Sequence, residues 1–349
     1  MITTRVRRPP RLATRPRLGA GLLALLVGSA ALAGCGGDSG PTLTVYSGRH
    51  YGIESAFADY EEQTGVKVEF LTGNDAELRE RIAAEGEDTE ADVYLTVDAG
   101  NLWAAGEDDL FAPLDSTVLD EAIPTELRDG DNRWFGLAVR TRTIVYNTEV
   151  MESDEVPTRY AELAEPEWKG RVCLRNANND YQQSLVASMI AADGEEAALE
   201  TLRGWSTNAE IYANDVELLE AMAVGACDVG IANHYYLARL LEEEPDTPVD
   251  LVWAEQDGRG VHVNISGGGI TKYADDVDLG RAFMEWLATD GQDGLVAGNH
   301  EYPANPTVPP EPLIAEEFGT DFVRDDLRAE ELGALNDDAV ALMDKAGFG

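Results

Sequence analysis

Three short segments of the sequence carry tyrosines at points where a strand-like stretch passes into a helix-like one. They are Tyr46–Tyr51 (YSGRHY), Asn176–Gln183 (NANNDYQQ) and Asn233–Arg239 (NHYYLAR). In open α/β sheets, ligands bind beyond the carboxyl ends of the strands, so all three segments are well placed. Deprotonated phenols supply anionic oxygen, which a hard cation such as Fe(III) prefers to sulfur. The segments therefore predict a cation site built from tyrosines.

The adjacent Tyr235 and Tyr236 give the strongest signal. Asn233 is a predicted N-cap, which puts both tyrosines in the first turn of a helix. Arg239 follows them by four and three residues and shares their helix face, where its charge favours phenolate over phenol. A free phenol has a pKa of about 10, so binding of a cation by these groups would release protons.

The other polar groups have simpler interpretations beside the functional one. Tyr181 is displayed by a polar loop, and a lone tyrosine at a strand end is more often a packing anchor. Ser47 precedes a helix and could offer its backbone N–H to an anion. His234 is predicted to be exposed in its first turn. His262 and His300 have no partner in the local sequence and are predicted to be structural or surface groups.

Motifs for other chemistries are missing from the sequence. It contains no G-x-S-x-G nucleophile elbow, no phosphate loop and no H-E-x-x-H zinc pair. The run Gly267–Gly269 lacks the spacing of a dinucleotide-binding motif and predicts a hinge or a close backbone approach. A catalytic interpretation is therefore weak.

The elements that must position the tyrosines alternate between strand and helix patterns, which predicts an α/β fold with a mostly parallel sheet. The predicted strands are Leu43–Ser47, Val66–Leu71, Ala91–Val97, Arg171–Leu174 and Cys227–Ala232. The predicted helices include the segment from Ile53 that stops at Gly65, and Glu77–Glu85, Ser184–Ala192, Val216–Val224 and Tyr235–Glu243. Two β-rich stretches, Trp134–Asn147 and Val261–Lys272, are expected to cross between two lobes. One continuous doubly wound sheet is the alternative.

The N-terminus has the pattern of an export signal. Residues 1–34 contain six arginines and no acidic residue, and a short apolar run follows the arginines. Leu32–Cys35 (LAGC) resembles the bacterial lipobox, in which the cysteine is lipidated; an ordinary secretory signal is the alternative. Residues 35–41 then form a predicted tether. We expect an exported chain anchored to the cell membrane by lipid at Cys35.

The charge and the cysteine content restrict the possible partners of the protein and indicate a disulfide. Without residues 1–34, 20 of the 26 Lys and Arg remain against 66 Asp and Glu, a net charge of −46. This excludes a nucleic-acid partner, because phosphate binding requires clustered basic residues. Hydrophobic residues make up 44% of the chain, which supports a folded protein. Cys173 and Cys227 remain after Cys35, and an even pair in an exported chain favours a disulfide.

Five segments, taken in order, resemble one known family. They are Tyr46–Tyr51 (YSGRHY), Trp168–Arg175 (WKGRVCLR), Tyr181–Ser188 (YQQSLVAS), Ala232–Arg239 (ANHYYLAR) and Gly258–Gly267 (GRGVHVNISG). The family is that of the periplasmic ferric-binding proteins, the substrate-binding proteins of ABC iron importers, and the likeness is greatest to its cyanobacterial-type branch. It extends from residue 42 to the end of the chain.

The resemblance implies a two-lobed type II periplasmic-binding-protein fold with Fe(III) in the cleft. Lobe one would comprise 42–138 and 268–349, and lobe two 139–267. The family's metal ligands fall on Tyr51, Tyr181, Tyr235 and Tyr236, and His50 matches a residue that coordinates in some members only. Arg239 would hydrogen bond to a ligating tyrosine, and Arg140 or Arg142 would face the cleft. Cys173 and Cys227 match a cysteine pair of part of the family. Whether carbonate, citrate or no anion completes the shell is open.

The sequence thus predicts a monomeric, lipid-anchored binding protein that captures Fe(III) and delivers it to an ABC transporter permease without chemical turnover. One rival is a binding protein of the same fold for an organic anion or a phosphonate. In that case Arg49, Arg140 and Ser47 would matter more than the tyrosines. A second rival is a secreted enzyme or adhesion module.

Overall fold

The structure, a computed structural model, describes residues 40–49 and 52–349. The predicted signal peptide, Cys35 and the tether up to residue 39 lie outside the described residues, and so do His50 and Tyr51. Within the described part of the chain, no helix has the length and apolar character needed to cross a bilayer.

The sheet of the described residues is mixed, not mostly parallel as the sequence predicted, because five of its nine strand pairings are antiparallel. It contains ten strands. They are β1 (Thr42–Ser47), β2 (Lys67–Thr72), β3 (Val93–Thr96), β4 (Phe135–Asn147), β5 (Val172–Arg175), β6 (Ala209–Tyr212), β7 (Val229–Asn233), β8 (Val249–Val252), β9 (His262–Ile270) and β10 (Tyr302–Pro303).

Thirteen α-helices accompany the strands in the described residues. They are α1 (Ile53–Thr64), α2 (Asp75–Glu85), α3 (Ala99–Glu107), α4 (Thr117–Ala122), α5 (Asp180–Asp193), α6 (Glu195–Asn208), α7 (Asp215–Ala223), α8 (His234–Glu243), α9 (Val277–Leu287), α10 (Gln292–Ala297), α11 (Pro312–Glu317), α12 (Ala329–Ala334) and α13 (Asn336–Ala346).

The strand–helix alternation predicted from the sequence is confirmed. For example, α1 buries Ile53, Phe57 and Tyr60 on one face, and it stops at Gly65, which has a left-handed φ of 72°. Glycine adopts this conformation at little steric cost, which explains the stop.

The sheet has two similar halves joined by its longest strands. In the first half β1 pairs in parallel with β2 and β3, and in the second β5 pairs in parallel with β6 and β7. Antiparallel β9 and β4 lie between these halves, giving the order β2-β1-β3-β9-β4-β7-β5-β6. The two β-rich stretches thus form the central pair of strands between the halves.

Every residue of β4 and β9 is buried, so these strands pack on both faces. The glycine run in β9 permits this packing: a Cβ on Gly267 would lie 2.4 Å from the carbonyl oxygen of Phe135, and one on Gly268 would lie 2.7 Å from that of Tyr94. The predicted close backbone approach at these glycines is therefore confirmed.

The C-terminal helices contact elements on both sides of the crossover strands. The helix α12 packs against α3, which follows β3, whereas α13 packs against α5 and α6, which follow β5. The ring of Phe348, just beyond α13, lies 6.2 Å from the ring of Trp205 on α6. The lobe boundaries proposed from the sequence stay a prediction, with this segment spanning both halves.

Cys173 and Cys227 form the expected disulfide. Their Cα atoms are 5.9 Å apart, and the bridge joins β5 to the segment just before β7 across 54 residues of sequence. Both cysteines are buried. The bridge therefore ties together the two parallel strands that precede α5 and α8.

Replacing both cysteines by alanine should lower the free energy of unfolding by about 4 kcal/mol, because the unfolded chain loses a closed loop of this length. Urea denaturation of the wild-type and Cys173→Ala/Cys227→Ala proteins would measure the difference. The wild-type protein unfolded in excess reductant is the control and should approach the variant. Equal stability of the two proteins under oxidising conditions would contradict the prediction.

Candidate metal-binding site

Tyr181, Tyr235 and Tyr236 meet because their helices start from neighbouring parallel strands. The strands β5 and β7 pair side by side, so their carboxyl ends lie at the same edge of the sheet. Tyr181 is not in a loop, as the sequence suggested, but in the first turn of α5, where the side chain of Asn179 accepts from its backbone N–H at 3.1 Å. The other two tyrosines occupy the first turn of α8, as predicted.

The three rings form a close group. The ring centroids of Tyr181 and Tyr235 are 6.4 Å apart and nearly perpendicular, and those of Tyr235 and Tyr236 are 4.4 Å apart. Tyr235 is buried, whereas Tyr181 and Tyr236 are partly exposed. The described residues hold no group of three or more His, Cys, Asp or Glu side chains suited to a metal ion. The phenols are therefore the candidate metal ligands in this part of the chain.

Three arginines surround the phenols. The guanidinium of Arg140 lies 5.3 Å from the ring centroid of Tyr181, and that of Arg175 lies 5.4 Å from the same ring. Arg239 stacks on α8, at 5.4 Å from the ring of Tyr235 and 5.7 Å from that of Tyr236. The predicted sharing of a helix face is thus observed for Arg239. Cations so placed attract the faces of aromatic rings and favour the phenolate form.

Sequence reasoning missed Arg175. It ends β5, and the only available signal was its position at the carboxyl end of a strand predicted to lead into the tyrosine segment. The sequence contains no local spacing that links Arg175 to the tyrosines of α8.

Burial opposes the ionisation of Tyr181 and Tyr235. It raises the pKa of Tyr181 to about 12, although Arg140 acts in the opposite direction. Burial, followed by the neighbouring phenols Tyr181 and Tyr236, raises the pKa of Tyr235 well above its ordinary value. A cation with several positive charges would reverse this balance, because it stabilises phenolates at short range.

Arg142 and Asn233 form a layer behind the rings. Arg142 is only 1% exposed, and its guanidinium donates to Asp215 at 2.7 Å and to the side-chain oxygen of Asn233 at 3.2 Å. Asn233 occupies the N-cap position just before α8, but its side chain makes no capping hydrogen bond. Instead its amide donates to the hydroxyl of Tyr235 at 3.2 Å. The cap predicted for Asn233 is thus replaced by a contact with the site.

Arg140 is also held from its other side. Glu301 is fully buried and pairs through Oε1 with Arg140 at 2.9 Å and through Oε2 with Arg49. Although burial acts in the opposite direction, Arg49 and Arg140 hold the pKa of Glu301 below its ordinary value. Ser266 on β9 accepts from both arginines. One buried acid therefore joins the turn after β1 to the crossover strands.

The turn after β1 is tightly held on its described side. The hydroxyl of Ser47 is buried and donates to the carbonyl oxygen of Arg49 at 2.7 Å. Arg49 in turn donates to the carbonyl oxygen of Leu295 at 2.5 Å. These contacts shape the backbone that leads to residues 50 and 51. The predicted ligands His50 and Tyr51 themselves lie outside the described residues.

His234 does not have the exposed position expected from the sequence. Its side chain is fully buried, and its ring lies 5.0 Å from that of Tyr302. The backbone N–H of Thr141 donates to Nδ1 at 3.2 Å, which leaves Nε2 to donate to the carbonyl oxygen of His300 at 3.0 Å. The first turn of α8 faces the sheet on this side, so His234 packs inward while the tyrosines face the site. His262 and His300 are likewise buried.

Comparison with known proteins identifies the family to which the chain belongs. The family model described as bacterial extracellular solute-binding protein matches residues 88–318. The chain belongs to this family.

Particular relatives share most of its length. Iron uptake protein A1 of Synechocystis sp. is 38% identical, over 93% of this chain and 95% of that protein. The Fe(3+)-binding periplasmic protein of Serratia marcescens is 30% identical, over 80% and 84%. The structure of Trichodesmium IdiA (FutA) in complex with iron and citrate ligands superposes with a TM-score of 0.83 at 36% identity, covering 88% of this chain and all of that one. The predicted α/β, type II periplasmic-binding-protein fold is confirmed.

The burial of His234 predicts a loss of stability in acid. Burial lowers the pKa of His234 to about 4, from an ordinary value of about 6.5. His234 therefore takes up a proton more readily in the unfolded chain than in the folded protein. The neutral, buried side chain contributes its full stabilisation of the folded state above pH 6.5, and this contribution is lost as the pH falls towards 4. The loss amounts to about 3 kcal/mol of the free energy of unfolding.

Urea denaturation at a series of pH values, compared with a His234→Gln variant, would measure this loss. The variant should be less stable at neutral pH, and its stability should fall less steeply over the same interval. Parallel curves for the two proteins would contradict the assignment.

Proposed function

We propose that this chain is an extracytoplasmic binding protein that captures Fe(III) and delivers it to the permease of an ABC importer. The observation that carries the proposal is the convergence of three phenols, from the first turns of α5 and α8, under three guanidinium groups. When deprotonated, these phenols supply anionic oxygen ligands, which a hard trivalent cation prefers and a soft cation does not.

The relatives support the same ligand. The names of two relatives specify iron uptake and Fe(3+) binding, and the Trichodesmium structure holds iron and citrate. On this basis we propose Fe(III) as the cargo, with an anion such as carbonate or a carboxylate completing its shell.

Within this proposal, Tyr181, Tyr235 and Tyr236 are metal ligands from lobe two. Tyr51, with or without His50, would add ligands from the turn after β1 in lobe one. Ser47, Arg140, Arg142 and Arg239 would act as supporting groups. Closure of residues 42–138 and 268–349 onto residues 139–267 would bury the ion. Cys35 would carry the lipid that keeps this monomer at the membrane, and no chemical turnover would occur.

The rival solute, an organic anion or a phosphonate, would need free cationic groups. Arg49 and Arg140, which that hypothesis requires, are instead paired with Glu301, and the hydroxyl of Ser47 donates to the backbone. This engagement favours the tyrosines as the binding groups. An enzyme or adhesion module would not require three phenols to converge beside three guanidinium groups, so this cluster favours the binding protein.

Titration of metal-free protein with ferric nitrilotriacetate should produce a visible phenolate-to-iron charge-transfer band that saturates at one equivalent. Tyr235→Phe and Tyr236→Phe should each weaken the band and lower the affinity by more than about a hundredfold, because each removes an anionic ligand. Tyr212→Phe is the matched control, since this partly buried tyrosine lies on β6 outside the group. A folded protein without a band, checked by circular dichroism, would sink the proposal and favour the anion-binding rival.

Iron binding should weaken as the pH falls. Tyr181, whose pKa is raised to about 12, and Tyr235 are protonated in the empty site and must lose their protons on binding. The logarithm of the affinity should therefore rise with pH, with a slope equal to the number of protons released.

Affinities measured against a chelator of known pH dependence would give this slope. Tyr235→Phe should reduce it by about one. A slope of zero would show that the phenols do not ligate the ion.

A further inference from the structure

Asp215 lies behind the three tyrosines, at the centre of their supporting contacts. It is fully buried at the first position of α7. One carboxylate oxygen accepts from Arg142 at 2.7 Å, and the other accepts from Arg175 at 2.5 Å. The first oxygen also accepts from the backbone N–H of Asn233 at 3.3 Å. Asp215 thereby connects strands β4, β5 and β7.

Arg175 connects Asp215 to two of the three phenols. The guanidinium of Arg175 lies 5.4 Å from the ring centroid of Tyr181, and it interacts electrostatically with Tyr236. Its position depends on Asp215, because no other acidic side chain is paired with it in the described residues.

Arg142 connects Asp215 to the third phenol, that of Tyr235. Arg142 donates to the side-chain oxygen of Asn233 at 3.2 Å, and the amide of Asn233 donates to the hydroxyl of Tyr235 at 3.2 Å. Arg142 also donates to Gln182, the neighbour of Tyr181, at 3.2 Å. Asp215 is thus linked to Tyr235 by hydrogen bonds through Arg142 and Asn233. It is linked to Tyr181 and Tyr236 through the guanidinium of Arg175, which interacts with both phenols.

An ordinary role in the helix does not account for Asp215. An acidic residue in the first turn usually serves the helix terminus. Here Asn214 performs the capping, since its side chain accepts from the backbone N–H of Glu217 at 2.9 Å. Both oxygens of Asp215 instead accept from arginines on other elements. This pairing is needed because a buried carboxylate is stable only when it is paired.

We propose that Asp215 is a positioning residue for the iron site, which holds Arg142 and Arg175 and through them sets the orientation of all three phenols. This inference rests on the proposed function. Asp215 binds no metal itself. Its single negative charge leaves one net positive charge on the two guanidinium groups, so the layer behind the phenols still favours their ionisation.

The test compares Asp215→Asn with the wild-type protein after loading with iron. Asparagine keeps the shape of aspartate but can accept from only one of the two arginines. Iron affinity should fall by about tenfold to a hundredfold, the range typical of groups that orient metal ligands. The charge-transfer band should also shift or lose intensity per bound iron, which a change in stability alone would not cause.

Asp129→Asn is the matched control. Asp129 is also buried and pairs with an arginine, Arg133 at 2.8 Å. Among the described residues, its hydrogen bonds and ion pairs involve no tyrosine. This variant should lose stability while keeping wild-type affinity and band position. A change in its band equal to that of Asp215→Asn would overturn the inference.

A second variant tests the same role of Asp215 without leaving a buried carboxylate unpaired, which could prevent folding. Arg175→Lys keeps the positive charge and leaves Asp215 paired with Arg142, so no buried carboxylate is left alone. A lysine lacks the planar guanidinium that pairs with Asp215 and lies over the ring of Tyr181. It should alter the band in the same direction as Asp215→Asn. In the double variant, the loss of affinity should be smaller than the sum of the two single losses.

Unchanged affinity and band in Arg175→Lys, or strictly additive losses, would overturn the inference. A wild-type protein that shows no iron band at all would refute the proposed function instead. The two failures are therefore distinguishable in the same set of spectra.

Discussion

The pairing of Glu301 with Arg49 and Arg140 is the interaction on which the rest of the structure depends. All three side chains are almost inaccessible to solvent, and a buried ion pair is stable only when its charges are fully engaged. Glu301 uses one oxygen for each arginine, and Ser266 contacts both. The turn after β1, the two crossover strands and the segment before β10 must therefore converge at one point.

That convergence places a charged group directly against the phenols. Arg140 meets Glu301 on one side and the rings of Tyr181 and Tyr235 on the other. Burial raises the pKa of Tyr181 and of Tyr235, and it opposes their ionisation more strongly than the arginines favour it. A hard cation bound by these phenols, as proposed, would supply the missing positive charge. The strongly negative charge of the whole chain contributes little to this balance, since solvent screens distant surface charges.

Much of the scaffold was predictable because it depends on local patterns. Alternating apolar residues gave the strands, and Gly65 marked the end of α1. The adjacent Tyr235 and Tyr236 indicated a helix start, and an even cysteine pair in an exported chain indicated the disulfide. The burial of His234 was not predictable, because the inward face of a first turn depends on what packs against it. Asn233 was expected to cap a helix, and its side chain turned out to contact Arg142 and Tyr235.

The sequence by itself determined the class of fold and the chemical type of the site, since periodicity, turn residues and the choice of tyrosine act over a few neighbouring positions. Only the tertiary structure decided which charges meet. Asp215 lies 73 residues from Arg142 and 40 from Arg175, and Glu301 lies 252 residues from Arg49. No local pattern encodes such pairs. They form because parallel strands bring their carboxyl ends to one edge and because a charge buried there must find a partner.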